Sequence, residues 1–175
     1  MPIEPFKPDL DGDVLRVGIV QSRFNEAVGA SIVSACVDEL LRLGVEDDSI
    51  VHVTVPGALE VPQVLARLAR TGDFDVLIAA GCVIRGETYH FEVVANESAR
   101  GVAQVGLDTG TPVINAILTV ENDAQALARA ADKGRDAAQV AVEMGNLMLT
   151  LGVLEDDDAF NDDFDENFDD QEEPR

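Results

Sequence analysis

The chain opens without apolar periodicity and then settles into a regular alternation of strand-length and helix-length patterns. Residues 1–13 hold Pro2, Pro5 and Pro8, each fixing φ and removing a backbone donor, so this stretch reads as an extended N-terminal arm and not a helix. Residues 14–20 form an apolar run of strand length. After a polar turn at 21–25, Ile32, Cys36 and Leu40, flanked by Val33, Val37 and Leu41, recur at helical spacing. Asn25 is placed to cap that helix and Gly44 to end it. Residues 50–55 give a second strand and Pro56-Gly57 a turn, and Val61, Val64, Leu65 and Leu68 form the buried stripe of a helix stopping near Gly72. Residues 74–80 are almost continuously apolar, as expected of a strand buried on both faces of a parallel sheet. Phe91, Val94, Ala95, Val102 and Val105 then mark a third helix. A turn at 108–111 leads to a fourth strand at 112–118. A short helix at 121–130 and a longer one at 135–151 follow, the latter with Val140, Ala141, Met144, Leu147, Met148 and Leu151 inward.

Strands alternating with helices imply an α/β domain, a four-stranded parallel sheet covered by helices on both faces. Its expected extent is 14–154, with the arm at 1–13 before it and an acidic, disordered tail at 155–175 after it. Parallel strands gather their C-termini on one edge, so the turns after Val20, Val55, Ala80 and Leu118 converge where open α/β sheets bind ligands.

The stretch 81–92 concentrates the chemistry. Residues 86–90 occupy a strand C-terminus and a helix N-terminus at once. Free N–H groups and the positive end of a helix dipole make such a turn a ready anion site, with phosphate the leading guest. His90, one of two histidines, falls in the first helical turn beside it, where an imidazole is suited to proton exchange. A histidine there also serves as an ordinary cap or surface residue. Phe24, after the first strand, offers an aromatic face for a flat heterocycle, or else a core or subunit contact. Ala58, Leu59 and Glu60 follow the Pro-Gly turn, and their backbone groups and the Glu60 carboxylate can bond a polar ring or a polyol. Taken by itself, Glu60 is explained by charge complementarity with the helix start. Cys82, Val83 and Ile84 end the central strand with main-chain groups toward the crevice. Cys82 has no base beside it in sequence, which makes it a wall residue and not a nucleophile. His52 lies mid-strand and is given no catalytic role. Arg129 and Lys133 by themselves read as solvated surface charge.

Charge removes one class of function. The formal net charge is −22, and residues 155–175 supply half of it through twelve Asp/Glu against one Arg. Both parts are therefore acidic, and nucleic-acid binding is disfavoured. Cys36 and Cys82 show neither metal-ligand spacing nor a disulfide framework, which suits a reducing cytoplasm. No stretch is long and apolar enough to span a bilayer, and no basic start leads into an apolar run, so a cytoplasmic protein without membrane contact is expected.

Val83-Ile84-Arg85-Gly86 followed by Thr88 and His90 resembles the signature of the lumazine synthase family. Further segments agree in order and spacing: Arg23-Phe24-Asn25, the run from Val55 to Glu60, Asn96-Glu97, Thr111-Pro112, Leu118-Thr119, and Arg129 with Lys133-Gly134. The resemblance runs from about Val14 to about Leu151. It implies a three-layer, flavodoxin-like fold and a transferase of riboflavin biosynthesis. That enzyme condenses 5-amino-6-(D-ribitylamino)uracil with 3,4-dihydroxy-2-butanone 4-phosphate to 6,7-dimethyl-8-ribityllumazine, with no cofactor and no metal. By the same resemblance Phe24 stacks on the pyrimidine, Ala58, Leu59, Glu60, Cys82, Val83 and Ile84 bind its ring and ribityl chain, and His90 is the catalytic acid/base. Gly86, Glu87 and Thr88 cradle phosphate, Arg129 clamps it and Lys133 lies near. Arg129, Lys133 and Asn115 reach the site from an adjacent subunit, in a homo-oligomer built on pentamers. Asn115 stands where members carry Phe or Asn. Glu87 is expected to offer only its backbone, since its carboxylate would repel a phosphate. The stretch 129–134 is shorter than the glycine-rich connection of many members.

Two other readings stay open: an archaeal-type riboflavin synthase acting on the lumazine, and a non-catalytic flavin or lumazine binder. In the tail, Phe160, Phe164 and Phe168 recur at a spacing of four. They fit either a solubilising brush or a segment that docks on a basic, apolar groove of a partner.

Overall fold

The apolar periodicity resolves into strands β1 (Val17–Ser22), β2 (Ile50–Val55), β3 (Val76–Ile84) and β4 (Val113–Val120). Between and after them lie helices α1 (Glu26–Arg42), α2 (Val61–Ala69), α3 (His90–Thr109) and α4 (Asp123–Asp165). A short 3-10 turn, Asp47–Ser49, leads into β2. The computed structural model describes residues 6–165. All strand pairs are parallel and the order is β2-β1-β3-β4. The expected three-layer α/β sheet, of the flavodoxin-like kind, is the observed architecture. From β1 the chain steps outward to β2, then returns past β1 to β3, so the direction of winding reverses between β1 and β3.

Burial explains the unbroken apolar runs. Every residue of β1 is buried, as are Val76 to Cys82 of β3. Alternate side chains feed two cores. Val17, Ile19, Val76, Ile78 and Ala80 pack with α1 and α4. Val20, Leu77 and Ala79 pack with Val61 and Leu65 of α2 and Val102 and Val105 of α3. Each fully buried aliphatic side chain contributes roughly 1.5–3 kcal/mol by removal from water.

The C-terminal helical region departs from expectation. Two helices, 121–130 and 135–151, were expected, but α4 is continuous. Its buried stripe is made of small residues: Ala126, Ala130, Ala137, Ala138 and Ala141, with Val142. Gly134 continues the stripe. A Cβ there would collide with the Ile32 carbonyl oxygen and lie 3.0 Å from Ala35 Cβ, both on α1. This glycine therefore permits a close helix crossing and does not end a helix; its intrinsic cost of about 1 kcal/mol is offset by that packing. Asp132 and Arg135 form an ion pair along the outer side. Val140, Met148 and Leu151, expected inward, are exposed. The boundary expected at residue 154 falls within α4, and 166–175, with Phe168, lie outside the described residues.

One buried polar cluster locks α1 against α4. Glu39, only 6% exposed, accepts hydrogen bonds from Arg42 Nη2 (2.7 Å) and Nε (2.8 Å), and from Gln139 Nε2 of α4 (2.7 Å). Those donors, Arg42 foremost and Gln139 next, hold the Glu39 carboxyl down at about 2. Nearby, Asn146 Nδ2 donates to the carbonyls of Asp9 (3.2 Å) and Asp11 (2.8 Å), which lays the described part of the arm along α4 of the same chain.

A depressed carboxyl contributes stability that is present above its unfolded pKa and is lost as pH falls through the folded value. Glu39→Gln should therefore lower the urea midpoint at pH 7. The gap from wild type should hold down to about pH 4.5, the ordinary value, and close as pH approaches about 2. An offset independent of pH would show that the ion pair is not what stabilises this seam.

Candidate active site

Because all four strands run the same way, the segments after β1, β2 and β3 meet at one edge, over the reversal between β1 and β3. A cavity of about 450 Å3 opens there. Its walls are Phe24 and Asn25 after β1, Gly57, Ala58, Leu59 and Glu60 after β2, Cys82, Val83 and Ile84 at the end of β3, and His90 and Val94 on α3. Eight of the residues singled out from sequence are thus brought together: Phe24, Ala58, Leu59, Glu60, Cys82, Val83, Ile84 and His90.

Local backbone chemistry sets each wall. The N–H of Phe24 donates to the Pro56 carbonyl at 3.2 Å and that of Arg23 to the Val55 carbonyl at 2.9 Å, so the segments after β1 and β2 are stitched side by side. Phe24 remains 70% exposed, an aromatic face left open at the rim. Gly57 leaves room beneath it: a Cβ there would lie 2.9 Å from Glu60 Oε2 and 3.0 Å from the Phe24 ring. The carboxylate and the aromatic ring therefore converge over one backbone position. A flat polar heterocycle stacked on Phe24 would meet an acceptor at its edge.

Asn25 was predicted as a side-chain cap for α1, and the structure corrects this. It occupies the N-cap position in a left-handed conformation (φ 57°, ψ 45°) with no side-chain capping bond. Its Nδ2 instead donates to the Cys82 carbonyl at 2.9 Å. The bond spans the reversal and ties the segment after β1 to the end of β3. Asn tolerates this conformation better than most residues, but the sequence alone did not separate cap from cross-link. Gly57 and Val94 were read only as a turn and a helix face, and the cavity uses both.

Titration behaviour supports a passive Cys82. Burial, followed by the negative charge of Asp123, pushes its thiol up to about 11, so it stays protonated and serves as wall. Cys36, in the core, is pushed up to about 12 by burial. His52 lies away from the cavity, its Nε2 3.0 Å from Gln21 Oε1, and burial lowers its pKa.

The remaining predicted residues lie outside the cavity of a single chain. Gly86, Glu87 and Thr88 form an exposed turn between β3 and α3. Among the described residues, their N–H groups donate to no protein acceptor. The Thr88 hydroxyl accepts a long bond, 3.4 Å, from the His90 N–H. His90 is the first residue of α3 and is exposed, while it also lines the cavity. Arg129 is exposed on α4, with Nη1 donating to the Gln125 carbonyl at 3.1 Å. Lys133 lies one turn further on, half-buried. Asn115 sits on edge strand β4, its Oδ1 accepting from the Ile117 N–H at 3.0 Å. No group of three or more His, Cys, Asp or Glu fit to hold a metal ion occurs among the described residues. No described helix is long and apolar enough to cross a membrane.

Similarity to known proteins converges on the same segments. The family model described as 6,7-dimethyl-8-ribityllumazine synthase matches residues 14–149. A protein of that name from Burkholderia ambifaria (strain MC40-6) is 58% identical over 158 residues, covering 90% of this chain and 92% of the relative. Relatives of the same name from Burkholderia mallei (strain SAVP1) and Burkholderia pseudomallei (strain 668) are also 58% identical over 158 residues, with 90% of this chain and 91% of each relative covered. A match of this extent takes in every wall of the cavity as well as the 86–88 turn and α4 through Lys133, and on it the chain belongs to the 6,7-dimethyl-8-ribityllumazine synthase family.

Proposed function

We propose that the chain condenses 5-amino-6-(D-ribitylamino)uracil with 3,4-dihydroxy-2-butanone 4-phosphate to 6,7-dimethyl-8-ribityllumazine, inorganic phosphate and water, the penultimate step of riboflavin biosynthesis. One observation carries the reading. The cavity at the sheet reversal joins an open aromatic face, a carboxylate and a histidine, and beside that histidine runs a turn whose N–H groups are unengaged within the described chain. The family match and its relatives do not favour a riboflavin synthase or a passive flavin binder, and a phosphate-holding turn gives the latter nothing.

In this reading the pyrimidine stacks on Phe24. The Glu60 carboxylate and the main chain of Ala58, Leu59 and Cys82 to Ile84 hold its polar edge and ribityl chain. The butanone phosphate lies with its phosphate on the N–H groups of Gly86, Glu87 and Thr88, at the positive end of α3. The pyrimidine 5-amino group attacks the ketone carbonyl and water leaves to give an imine. Phosphate is then eliminated, and ring closure with loss of water completes the lumazine. His90, at the junction of the two subsites, takes and returns the protons. Holding the two substrates in contact supplies a large part of the acceleration. No cofactor or metal enters this scheme.

Arg129, Lys133 and Asn115 do not line the cavity of their own chain, and this supports sites completed by a neighbour. We place these residues in the site of an adjacent subunit, in a cytoplasmic homo-oligomer built on pentamers, with Arg129 clamping the phosphate and Lys133 near it. Glu87 is exposed, and in this arrangement only its backbone meets the phosphate. The arm at 1–13, the catalytic domain at 14–154 and the acidic segment at 155–175 are the functional divisions.

His90→Ala should lower turnover by about 10²-fold or more, the usual range for a lost proton-transfer group being about 10²–10⁴, with residual activity from juxtaposition. Wild-type turnover in the folded variant would remove His90 from the mechanism. Arg129→Ala should raise KM for the phosphorylated ketone far more than for the pyrimidine. If neighbours complete each site, co-refolding His90→Ala with Arg129→Ala chains should regain activity, since some interfaces then pair two intact residues. Mixed particles no more active than their components would place the whole site within one chain. For the acidic segment we propose docking of its Phe positions on a basic, apolar groove of a partner protein. Cell-extract proteins retained by the intact enzyme should be lost with a Phe160/Phe164/Phe168→Ser variant, and an unchanged set would leave only a solvated brush.

A further inference from the structure

Arg85 has no part in the scheme above and does not line the cavity, yet its contacts surround the catalytic turn. It follows β3 directly. Its N–H donates to the Val120 carbonyl at 2.9 Å, carrying the β3–β4 ladder one step beyond the strands. The guanidinium then reaches three groups. Nε donates to Glu121 Oε2 at 2.7 Å, Nη1 pairs with Glu92, and the carbon at its centre lies 4.2 Å from the centroid of the Phe91 ring. Glu121 follows β4 and leads into α4, the helix of Arg129, while Phe91 and Glu92 immediately follow His90.

The turn that Arg85 precedes has little else to fix it. Residues 86–89 are exposed, and the free N–H groups that suit it to an anion are bonds it does not make with its own chain. On α3, His90 and Val94 share the face toward the cavity, as an i,i+4 pair does. Phe91 and Glu92 point elsewhere around the helix, so Arg85 grips the first turn from behind.

We propose that Arg85 is a positioning residue for the condensation: it clamps the first turn of α3 to the β3–β4 edge, so that the His90 imidazole and the 86–88 donors keep fixed places against the pyrimidine wall, without itself touching either substrate. The proposal rests on the functional reading given above. Arginine suits the task for a geometric reason. Its planar fork bonds two carboxylates in different directions while its face stacks on a ring, whereas a lysine ammonium is a single flexible point charge.

The test uses the full-length enzyme with Arg85→Met, Arg85→Lys and Glu92→Gln, each followed by steady-state kinetics and by amide hydrogen exchange. In Arg85→Met, kcat should fall about ten- to a hundredfold, the scale of a misplaced catalytic group. KM for the pyrimidine and the melting temperature should stay unchanged, and exchange should quicken at amides 93–96 and not in the central strands. Arg85→Lys should recover only part of kcat. The Arg85→Met/Glu92→Gln double variant should lose no more than Arg85→Met, because both act through one contact. Unchanged exchange would remove the clamp. A fall in melting temperature with equal losses for both substrates would reduce Arg85 to scaffolding. A loss of affinity for the phosphorylated ketone that adds fully to that of Glu92→Gln would make Arg85 a phosphate ligand, contrary to the proposal. A wild-type chain without condensation activity would overturn the functional reading, and the exchange arm would still decide whether the clamp exists.

Discussion

Parallel pairing is the constraint on which the molecule depends. Strands that all run one way must each be returned to the start by a helix, and must all release the chain at the same edge. The order β2-β1-β3-β4 adds a reversal between the two most buried strands, and there the helices diverge and leave a crevice. The cavity is thus a product of topology, and the sequence around it only finishes the walls. Asn25, bonded to the Cys82 carbonyl at 2.9 Å, closes the gap that the reversal opens. Between them, that bond and the Arg85 contacts bracket the end of β3, one toward β1 and the other toward β4.

The alternation of strand and helix was legible because burial on both faces left an apolar signature that polar turns interrupted. β2 was read with its observed bounds, and β1, β3 and β4 were displaced by one to four residues at their ends, β3 running on to Ile84 and not stopping at Ala80, because pairing with neighbours and not composition decides the limit. The two-helix reading of the C-terminal region missed that the helix runs on through Gly134. A glycine that ends a helix and a glycine that lets two helices touch look alike in one dimension, and only Ile32 and Ala35 across the crossing tell them apart. Cavity residues were legible near strand C-termini, in the turn after β2 at Ala58 to Glu60 and at the end of β3 itself at Cys82 to Ile84. Asn25 was found but given the wrong bond, because the partner carbonyl is 57 positions away.

A phosphorylated substrate meets an unfavourable far field here. The chain carries a formal charge of −22, so long-range attraction of a dianion is weak or reversed, and recognition must come from donors at contact distance. The turn that leads into α3 has such donors in its backbone, which carries no net charge. Arg85, the cation nearest the turn in sequence, has Glu92 and Glu121 as partners. On the proposed reading, that division leaves the phosphate to backbone N–H groups and to a cation from another helix, and it separates holding the turn from holding the ligand.

The crossing at Gly134 makes α4 a lever. Arg129 lies five positions before Gly134 on the same unbroken helix, roughly 7.5 Å along its axis. The fulcrum is the α4 backbone against the α1 backbone and the short Ala35 methyl, with no flexible side chain to yield. A methyl group added at the fulcrum therefore has nowhere to go except into a tilt or shift of the whole rod, and the far arm carries that displacement to the guanidinium. Position 134 faces α1 and does not line the cavity at the sheet reversal, yet with Arg129 in its proposed role a survey of random substitutions scored by activity would count it among the functional residues.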